Sequence, residues 1–454
     1  RIKSGETVKI SYLIGIADSK SDALNLAEKY NGKAAVSRAF ELAWTQSQVE
    51  ARYLNLISRD IELYQMMLSH IFYISPLRRE REDMIRKNAK GQSGLWQYGI
   101  SGDFPIVLVT VESGDDLSIV EDAVKAHEFW RSKGLKIDMI ILNEDAGNYL
   151  QEFNDRIRKV ILSNRGGNVQ DKPGGIFLRQ ASIMDEESLN LIFSVSRIVF
   201  SASNGSLRQQ LKIKNFSQNR AKRDLPVFHN IYQGVPETLE ELTFFNGLGG
   251  FKKDGSEYVI WLEGKVDTPA PWSNIICNEE FGCLVTSSGS GYTWAENSRE
   301  FKISPWSNDA VMDPPGEILY LVDEAEGGPW SITPLPVRED EPYTIRHGFG
   351  YSIFEHVSHG IKQEMTVFVP NSGRIKIVKV RLKNISYSKR KLKACYYMRP
   401  VLGVNTQMTA PFIVSGIDDN QSLIIRNTYS DDFPGRVVVV DCSEKKRSVT
   451  GDNV

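Results

Sequence analysis

Cysteine is scarce: four residues in 454, Cys277, Cys283, Cys395 and Cys442, with no CxxC spacing. That excludes a disulfide-built scaffold and argues against a zinc ribbon. Cys277 and Cys283 are close enough in sequence to pair across a hairpin; free thiols buried in a reducing compartment are the plainer alternative. A surplus of either charge is also lacking. Fifty-five basic and 57 acidic residues leave a formal net charge of -2, so nothing in the balance points to nucleic acid or an acidic membrane. No run approaches the roughly 20 apolar residues of a membrane span. There is no signal-peptide pattern and no initiating Met. Thr7 to Ile16 already alternates like a strand, and the sequence stops abruptly at Thr450-Gly451-Asp452-Asn453-Val454. It therefore reads as a piece of a longer chain, which limits what can be expected of catalysis.

What is present is an ordinary globular composition, 41% apolar and 25% charged, long enough for roughly two to four domains. Residues 1–17 read as a strand, the tail of a preceding sheet domain. Residues 18–90 read as a helical linker, with a generic helical hairpin packed on its neighbour as the alternative. Asp18-Ser19-Lys20-Ser21-Asp22 offers N-cap residues for a helix over Ala23 to Tyr30, which Asn31-Gly32 breaks. From Ala34 to Tyr73, Phe40, Trp44, Val49, Tyr53, Leu56, Ile61, Tyr64, Leu68 and Ile71 recur at helical spacing. They predict one long helix, about 60 Å if straight, or a bent pair.

Residues 91–212 read as a small α/β unit. A Gly-rich loop, Gly91 to Pro105, precedes the apolar run Ile106 to Val111, as in a buried parallel strand. Helix from Leu117 to Lys133, strand from Lys136 to Leu142, helix from Asn148 to Asn164, strand from Ile176 to Arg179 and helix from Asp185 to Ser201 follow. That alternation implies parallel pairing. Asp103, Asn143, Glu144 and Asp145 fall near strand or loop ends, where open α/β sheets bind ligands. Capping and turn roles are the alternative. Ser113-Gly114-Asp115-Asp116 is not GxGxxG, and no GKS or GKT follows, so there is no phosphate fingerprint. Residues 213–240, with Lys212, Lys214, Arg220, Lys222 and Arg223, read as a solvated linker.

From residue 241 to 454, short alternating strands between Pro, Gly and Asn turns indicate a large antiparallel β-sandwich. Ile361 to Val369 and Ile375 to Leu382 flank Pro370-Asn371-Ser372-Gly373 as a hairpin with one face buried. Five of the eight tryptophans fall between Phe245 and Tyr351: Trp261, Trp272, Trp294, Trp306 and Trp330. Four stand beside turn residues. A Trp at a loop tip offers a stiff apolar face and one donor, which suits sugar rings; filling the sandwich core is the alternative. The candidate carbohydrate-binding residues are Asp267, Trp272, Trp294, Trp306, Trp330, Arg346 and His347. Arg346 offers a planar fork and His347 a titratable donor for phosphate or sugar hydroxyls; holding a strand end is the alternative. Asp267, Glu280, Asp313 and Asp323 read as turn formers rather than acid catalysts. His356 and His359 bracket a turn, but no third ligand stands nearby in sequence, so no metal site is expected.

The ordered series Asp267-Thr268-Pro269-Ala270-Pro271-Trp272, Gly291-Tyr292-Thr293-Trp294, Ser304-Pro305-Trp306, Pro329-Trp330-Ser331 and Arg346-His347-Gly348-Phe349-Gly350-Tyr351 resembles the N-terminal β-sandwich of glycoside hydrolase family 94. The rest of the chain is similar to the C-terminal region of the cyclic β-1,2-glucan synthases, including Gly99-Ile100-Ser101-Gly102-Asp103. The resemblance implies an α+β multidomain chain: helical linker, small parallel-sheet unit, then a galactose mutarotase-like supersandwich. It implies that the sandwich supports an (α/α)6 barrel carrying the catalytic acid, so no catalytic residue is transferred here. Implied partners are β-glucan oligosaccharides, phosphate in the parent enzyme, the missing barrel and a second copy in a homodimer. No cofactor is implied. The implied role is an accessory, carbohydrate-proximal part of a membrane-anchored enzyme, on its cytoplasmic side. A fragment of a β-oligoglucan or cellobiose-type phosphorylase, and a stand-alone carbohydrate-binding or scaffold protein, remain alternatives.

Overall fold

The computed structural model describes residues 2–112, 116–145, 150–163, 169–212, 242–324, 328–444 and 448–451. The expected linker and its cations Lys214, Arg220, Lys222 and Arg223 lie outside the described residues, as do Ser113, Gly114 and Asp115. Two compact units each draw on separated stretches of chain. One combines Arg1–Leu77, Gln97–Met184 and Ser196–Ile213; the other combines Arg78–Trp96, Asp185–Val195 and Lys214–Val454.

In the first unit, helices span Lys20–Tyr30, Lys33–Tyr53 and Ser58–Phe72. Ser19 caps the first by accepting the Asp22 N–H. The long helix expected from Ala34 is a bent pair, broken where Asn55 takes a positive φ of 53°, a conformation Asn tolerates better than most residues. The third helix buries Leu63, Tyr64, Met67 and Ile71 along one face. Residues 2–17 form no strand, contrary to the sequence pattern. Alternation marks a strand only where a ladder partner is present, and none of the described residues supplies one.

Four parallel strands follow: β1 (Ile106–Val111), β2 (Asp138–Asn143), β3 (Ile176–Gln180) and β4 (Ser196–Ser201), in the order β3-β2-β1-β4. Every residue of β1 and β2 is buried, which explains their unbroken apolar runs. Helices Leu117–Ser132 and Leu150–Ser163 belong to the same unit. Trp130, fully buried, gives its Nε1–H to the Tyr64 carbonyl at 2.9 Å, which lets an indole enter a dry core. The third expected helix is shorter than its pattern. It ends at Val195, and Ser196–Ser201 pairs with β1 instead. Ser-Arg-Ile-Val-Phe-Ser is β-branched and aromatic enough for either state, and the open edge of β1 decides it.

The second unit holds fifteen short described strands: β5 (Gly249–Phe251), β6 (Glu257–Leu262), β7 (Ser273–Cys277), β8 (Phe281–Thr286), β9 (Gly291–Ala295), β10 (Glu317–Asp323), β11 (Pro329–Ser331), β12 (Tyr343–Gly348), β13 (Tyr351–Ser358), β14 (Ile361–Phe368), β15 (Ile377–Asn384), β16 (Leu392–Met398), β17 (Ile413–Ile417), β18 (Leu423–Asn427) and β19 (Val437–Val440). They form the antiparallel sheets of a large β-sandwich: β15-β14-β13-β12-β6-β5, β11-β10-β16, β7-β8-β9 and β17-β18-β19. Their shared core includes Ile260, Leu321, Trp330, Tyr343, Ile345 and Phe354. Two segments from earlier in the chain dock within this unit. Arg78 donates to the carbonyls of Ser194 (3.0 Å) and Pro411 (2.7 Å), and Asn88 donates to that of Thr428 at 2.7 Å.

Two expectations need correction. β14 alternates buried and mostly half-buried residues, but its partner β15 is exposed along most of its length because it is the sheet edge. All four cysteines are free, and only Cys283 is buried. Cys277 pairs in register with Gly282, so Cys277 and Cys283 point to opposite faces of the hairpin.

The Glu317 carboxylate ties three of these sheets together. Its Oε1 accepts from Thr293 of β9 and from Ser304, each at 2.6 Å. Its Oε2 accepts from Tyr396 of β16 at 2.6 Å and from Lys376, just before β15. Burial alone would raise its pKa, but the Lys376 ammonium and the hydroxyl donors hold it at about 2. Glu317 therefore contributes stability above the unfolded carboxylate pKa and loses it as pH falls toward 2. Glu317→Ala leaves the half-buried Lys376 without its anion and is expected to cost about 3 kcal/mol, the low end for a buried pair. Urea unfolding followed by tryptophan fluorescence at pH 7 measures this; an unchanged midpoint would show that the carboxylate is dispensable.

Candidate functional site

The sequence candidates separate into several environments within the sandwich unit. The first is an aromatic group on β9. Tyr292 and Trp294 lie two residues apart and share a strand face, with rings 5.1 Å apart. Trp306 stacks on Tyr292 from the following loop, also at 5.1 Å and within 12° of parallel. That loop is fixed against β9 by the Ile303 N–H to the Thr293 carbonyl (2.8 Å) and by the Thr293 N–H to Ser304 Oγ (2.8 Å). Trp294 lies over Gly282, where a Cβ would come within 2.4 Å of its ring, so only glycine fits beneath it. Tyr292 is buried, Trp294 half-buried and Trp306 44% exposed. Trp306 is thus the tryptophan of the set that presents indole surface to solvent.

Trp272 and His347 form a second group. Trp272 packs edge-on against Tyr258 at 5.8 Å and leans on the sandwich core. His347, on β12, lies with Nδ1 2.8 Å from Ser352 Oγ, which also receives Asn274 Nδ2 at 3.2 Å. The His347 Nε2 is buried and makes no hydrogen bond of good geometry. Burial pushes the imidazole pKa down to about 4, a shift that the Trp272 backbone partly opposes. His347 is a neutral strand-end residue at pH 7.

Arg346 points to the other face of β12 and is committed to acids. Its guanidinium lies 3.4 Å from Glu257 and 3.2 Å from Glu355. Glu257, itself buried, also holds Lys252 and accepts the Tyr351 hydroxyl at 2.7 Å. Trp330 is 1% exposed, with Nε1 donating to Gln363 at 3.0 Å; it is a core residue on β11, not a loop tip. Asp267 is exposed and pairs with Arg338 at 2.6 Å. The other loop acids are similarly engaged: Glu280 with Arg374, Asp313 with Thr286 and Ser288, Asp323 with Arg390. In the parallel-sheet unit, Asn143 donates to Asn154 and accepts the Asp145 N–H, which orders the end of β2. Burial raises the Glu144 pKa, and a Thr110 hydrogen bond opposes the rise. With the order β3-β2-β1-β4 the topological switch point lies beside the end of β1.

A cavity of about 50 Å³, lined by Tyr292, Glu317, Lys376 and Tyr396 among others, has room for water and not for a sugar. A larger cleft of about 390 Å³ lies among Arg78, Arg79, Arg86, Glu82, Pro411 and Ser415. None of its lining side chains is aromatic, so it lacks a stacking surface. Sequence reasoning missed Glu317, and it singled out His356 and His359 without their acid Glu339, because the partners are distant in sequence.

Residues 256–454 match the family model described as glycosyl hydrolase 94, supersandwich domain. Over 451 residues, 96% of this chain, the sequence is 32% identical to the cyclic beta-(1,2)-glucan synthase NdvB of Rhizobium meliloti (strain 1021), covering 16% of that protein. It is 34% identical over 149 residues to the N,N'-diacetylchitobiose phosphorylase of Vibrio proteolyticus, covering 18% of it, and 29% identical over 196 residues to that of Vibrio furnissii, covering 24%. The chain thus spans between about a sixth and a quarter of the length of these relatives. The resemblance read from the ordered tryptophan motifs is met by the supersandwich match. Among the described residues, no helix is long and apolar enough to cross a membrane.

The buried His347 makes folding stability depend on pH. The unfolded chain takes up a proton near pH 6.5 that the folded chain refuses until about pH 4. Stability from this residue is therefore intact above pH 6.5 and falls between 6.5 and 4. The stability of the native chain relative to His347→Gln should drop by roughly 3 kcal/mol between pH 7 and 4. Denaturant titrations across that range test it, and parallel pH profiles for the two proteins would contradict it.

Proposed function

We propose that this chain is an accessory, carbohydrate-proximal part of a cyclic β-1,2-glucan synthase-like enzyme and performs no bond-making or bond-breaking step itself. The observation that carries the carbohydrate reading is the Tyr292, Trp294 and Trp306 group, with Trp306 stacked on one face and 44% exposed. A stiff, partly solvated indole backed by a second ring is what the apolar face of a glucose unit packs against. The accessory reading is supported by the carboxylates. A glycosidase needs two free carboxyl groups across the scissile bond, and a phosphorylase needs one acid. Asp267, Glu280, Asp313 and Asp323 are each engaged by a cation or by hydroxyl donors.

On this reading β-glucan oligosaccharides pass beside the sandwich while another part of the enzyme supplies the acid and, where phosphorolysis occurs, takes the phosphate. The chain would lie on the cytoplasmic side of a membrane-anchored parent. A synthase parent is favoured over a phosphorylase parent by coverage. The synthase similarity runs over 96% of this chain, whereas the Vibrio proteolyticus phosphorylase similarity runs over 32%.

Trp306→Ala in the full 454-residue chain should weaken binding of linear β-1,2-gluco-oligosaccharides about tenfold, the scale of one aromatic contact. Its melting temperature should stay close to that of the native chain, because the side chain is not core. Calorimetric titration gives the first quantity and thermal unfolding the second. Equal affinity of both proteins would refute the aromatic platform.

A further inference from the structure

A cluster at the start of β12 is not used by this reading. Tyr343 of β12 lies opposite His356 of β13, and β13 joins β14 through the two-residue turn His359-Gly360. Both turn residues have positive φ, 53° at His359 and 69° at Gly360. Tight turns of this kind favour Asn or Asp before Gly. Here a His occupies the less favoured position, and its ring reaches inward. His359 Nε2 lies 2.6 Å from Glu339 Oε1, and His356 Nε2 lies 2.9 Å from Glu339 Oε2. An oxygen of Glu341 joins Glu339 and a ring nitrogen of His356 in a set of ligand atoms all within 4.8 Å of one another.

His356 Nδ1 lies 3.0 Å from the Pro342 carbonyl, which can only accept. Nδ1 therefore carries the proton, and in the neutral ring Nε2 presents a lone pair to a carboxylate oxygen. Two acceptors facing each other at 2.9 Å repel unless a cation lies between them. An imidazole whose outer N–H is held by a backbone carbonyl is the usual orientation of a metal-ligating His. The rings are also fixed in place. Tyr343 stacks on His356 at 3.9 Å and within 5° of parallel, and Trp330 stacks on His359 at 4.2 Å. The His356 side chain is 0% exposed and that of His359 6%.

We propose that Glu339, Glu341 and His356 form a structural divalent-metal site that pins the segment before β12 to β13, with His359 of the β13–β14 turn orienting Glu339 through its other oxygen. One imidazole with two carboxylates, leaving a fourth position for water, suits zinc among the common divalent ions. Zinc bonds of about 2.0–2.2 Å put tetrahedral ligands roughly 3.3 Å apart, so the His356–Glu339 pair at 2.9 Å needs to open by only about half an ångström while the Glu341 oxygen, within 4.8 Å of both, closes on them.

The test uses the full chain, stripped with a chelator and with its exposed cysteines alkylated. Zn2+ titration should show one equivalent bound, with a rise in melting temperature of several degrees. Co2+ should give the visible absorption bands of a tetrahedral nitrogen–oxygen site. His359→Asn keeps a residue suited to the turn, and Glu341→Gln keeps a polar side chain. Each should bind Zn2+ at least tenfold more weakly while melting near the native value in the presence of chelator. Absence of a Zn2+-dependent shift in the native chain, or equal Zn2+ affinity in both variants, would overturn the site and leave a proton as the bridging cation.

Discussion

The sandwich depends on a simple constraint: a charge taken out of water must be surrounded by donors or counter-charge. The Glu317 carboxylate shows how this organises the unit. One anion receives two hydroxyls from the β9 side, a phenol from β16 and an ammonium from the start of β15. No single sheet supplies enough donors to keep it ionised, so the sheets must come together for it to be buried. Asp323 with Arg390, and Glu257 with Arg346, Lys252 and Tyr351, repeat the pattern. These acids are engaged in holding the fold, as Asp313 is by Thr286 and Ser288.

The tryptophans divide by the same rule. An indole N–H enters a dry core only with an acceptor. Trp330 finds Gln363 and Trp130 finds Tyr64, and both are fully buried. Trp306 stays at the surface and rests one face on Tyr292. Motif order signals the domain, but the partner of each N–H decides whether a given Trp is core or contact surface.

That division sets how far the sequence could be read. β1, β2 and β3 were legible because buried parallel strands are continuous apolar runs between helix signals. Most long sandwich strands were legible from alternation. The short strands β7, β9 and β11 were hidden among Gly, Pro, Ser and Thr, which looked like turns. Trp294 and Trp330 consequently read as loop residues although both sit on strands. Pro329 heads the edge strand β11, a place where the missing N–H costs no ladder bond. β4 was lost to the preceding helix because local propensity does not reveal the free edge of β1. The Glu339 cluster was invisible for a different reason. His356 and His359 are close in sequence, but their acid lies seventeen and twenty residues upstream, and only the strand register brings it back.

Edge strands show where the unit limits its own association. β15 closes one side of the six-stranded sheet and β19 one side of the β17-β18-β19 sheet. Val380 and Leu382 on β15, and Val437 and Val439 on β19, are all more than one-third exposed. Alone, such rows would invite another chain to add a strand. On β15, however, Lys379, Arg381 and Lys383 alternate with the apolar positions and are exposed. Like charges at every second residue would face a second copy of the same strand across any new ladder, and cross-strand like charges oppose pairing. The basic residues of β15 are thus explained by protection of an edge. They supply no case for a polyanion site, in keeping with a net charge of -2 over the whole chain.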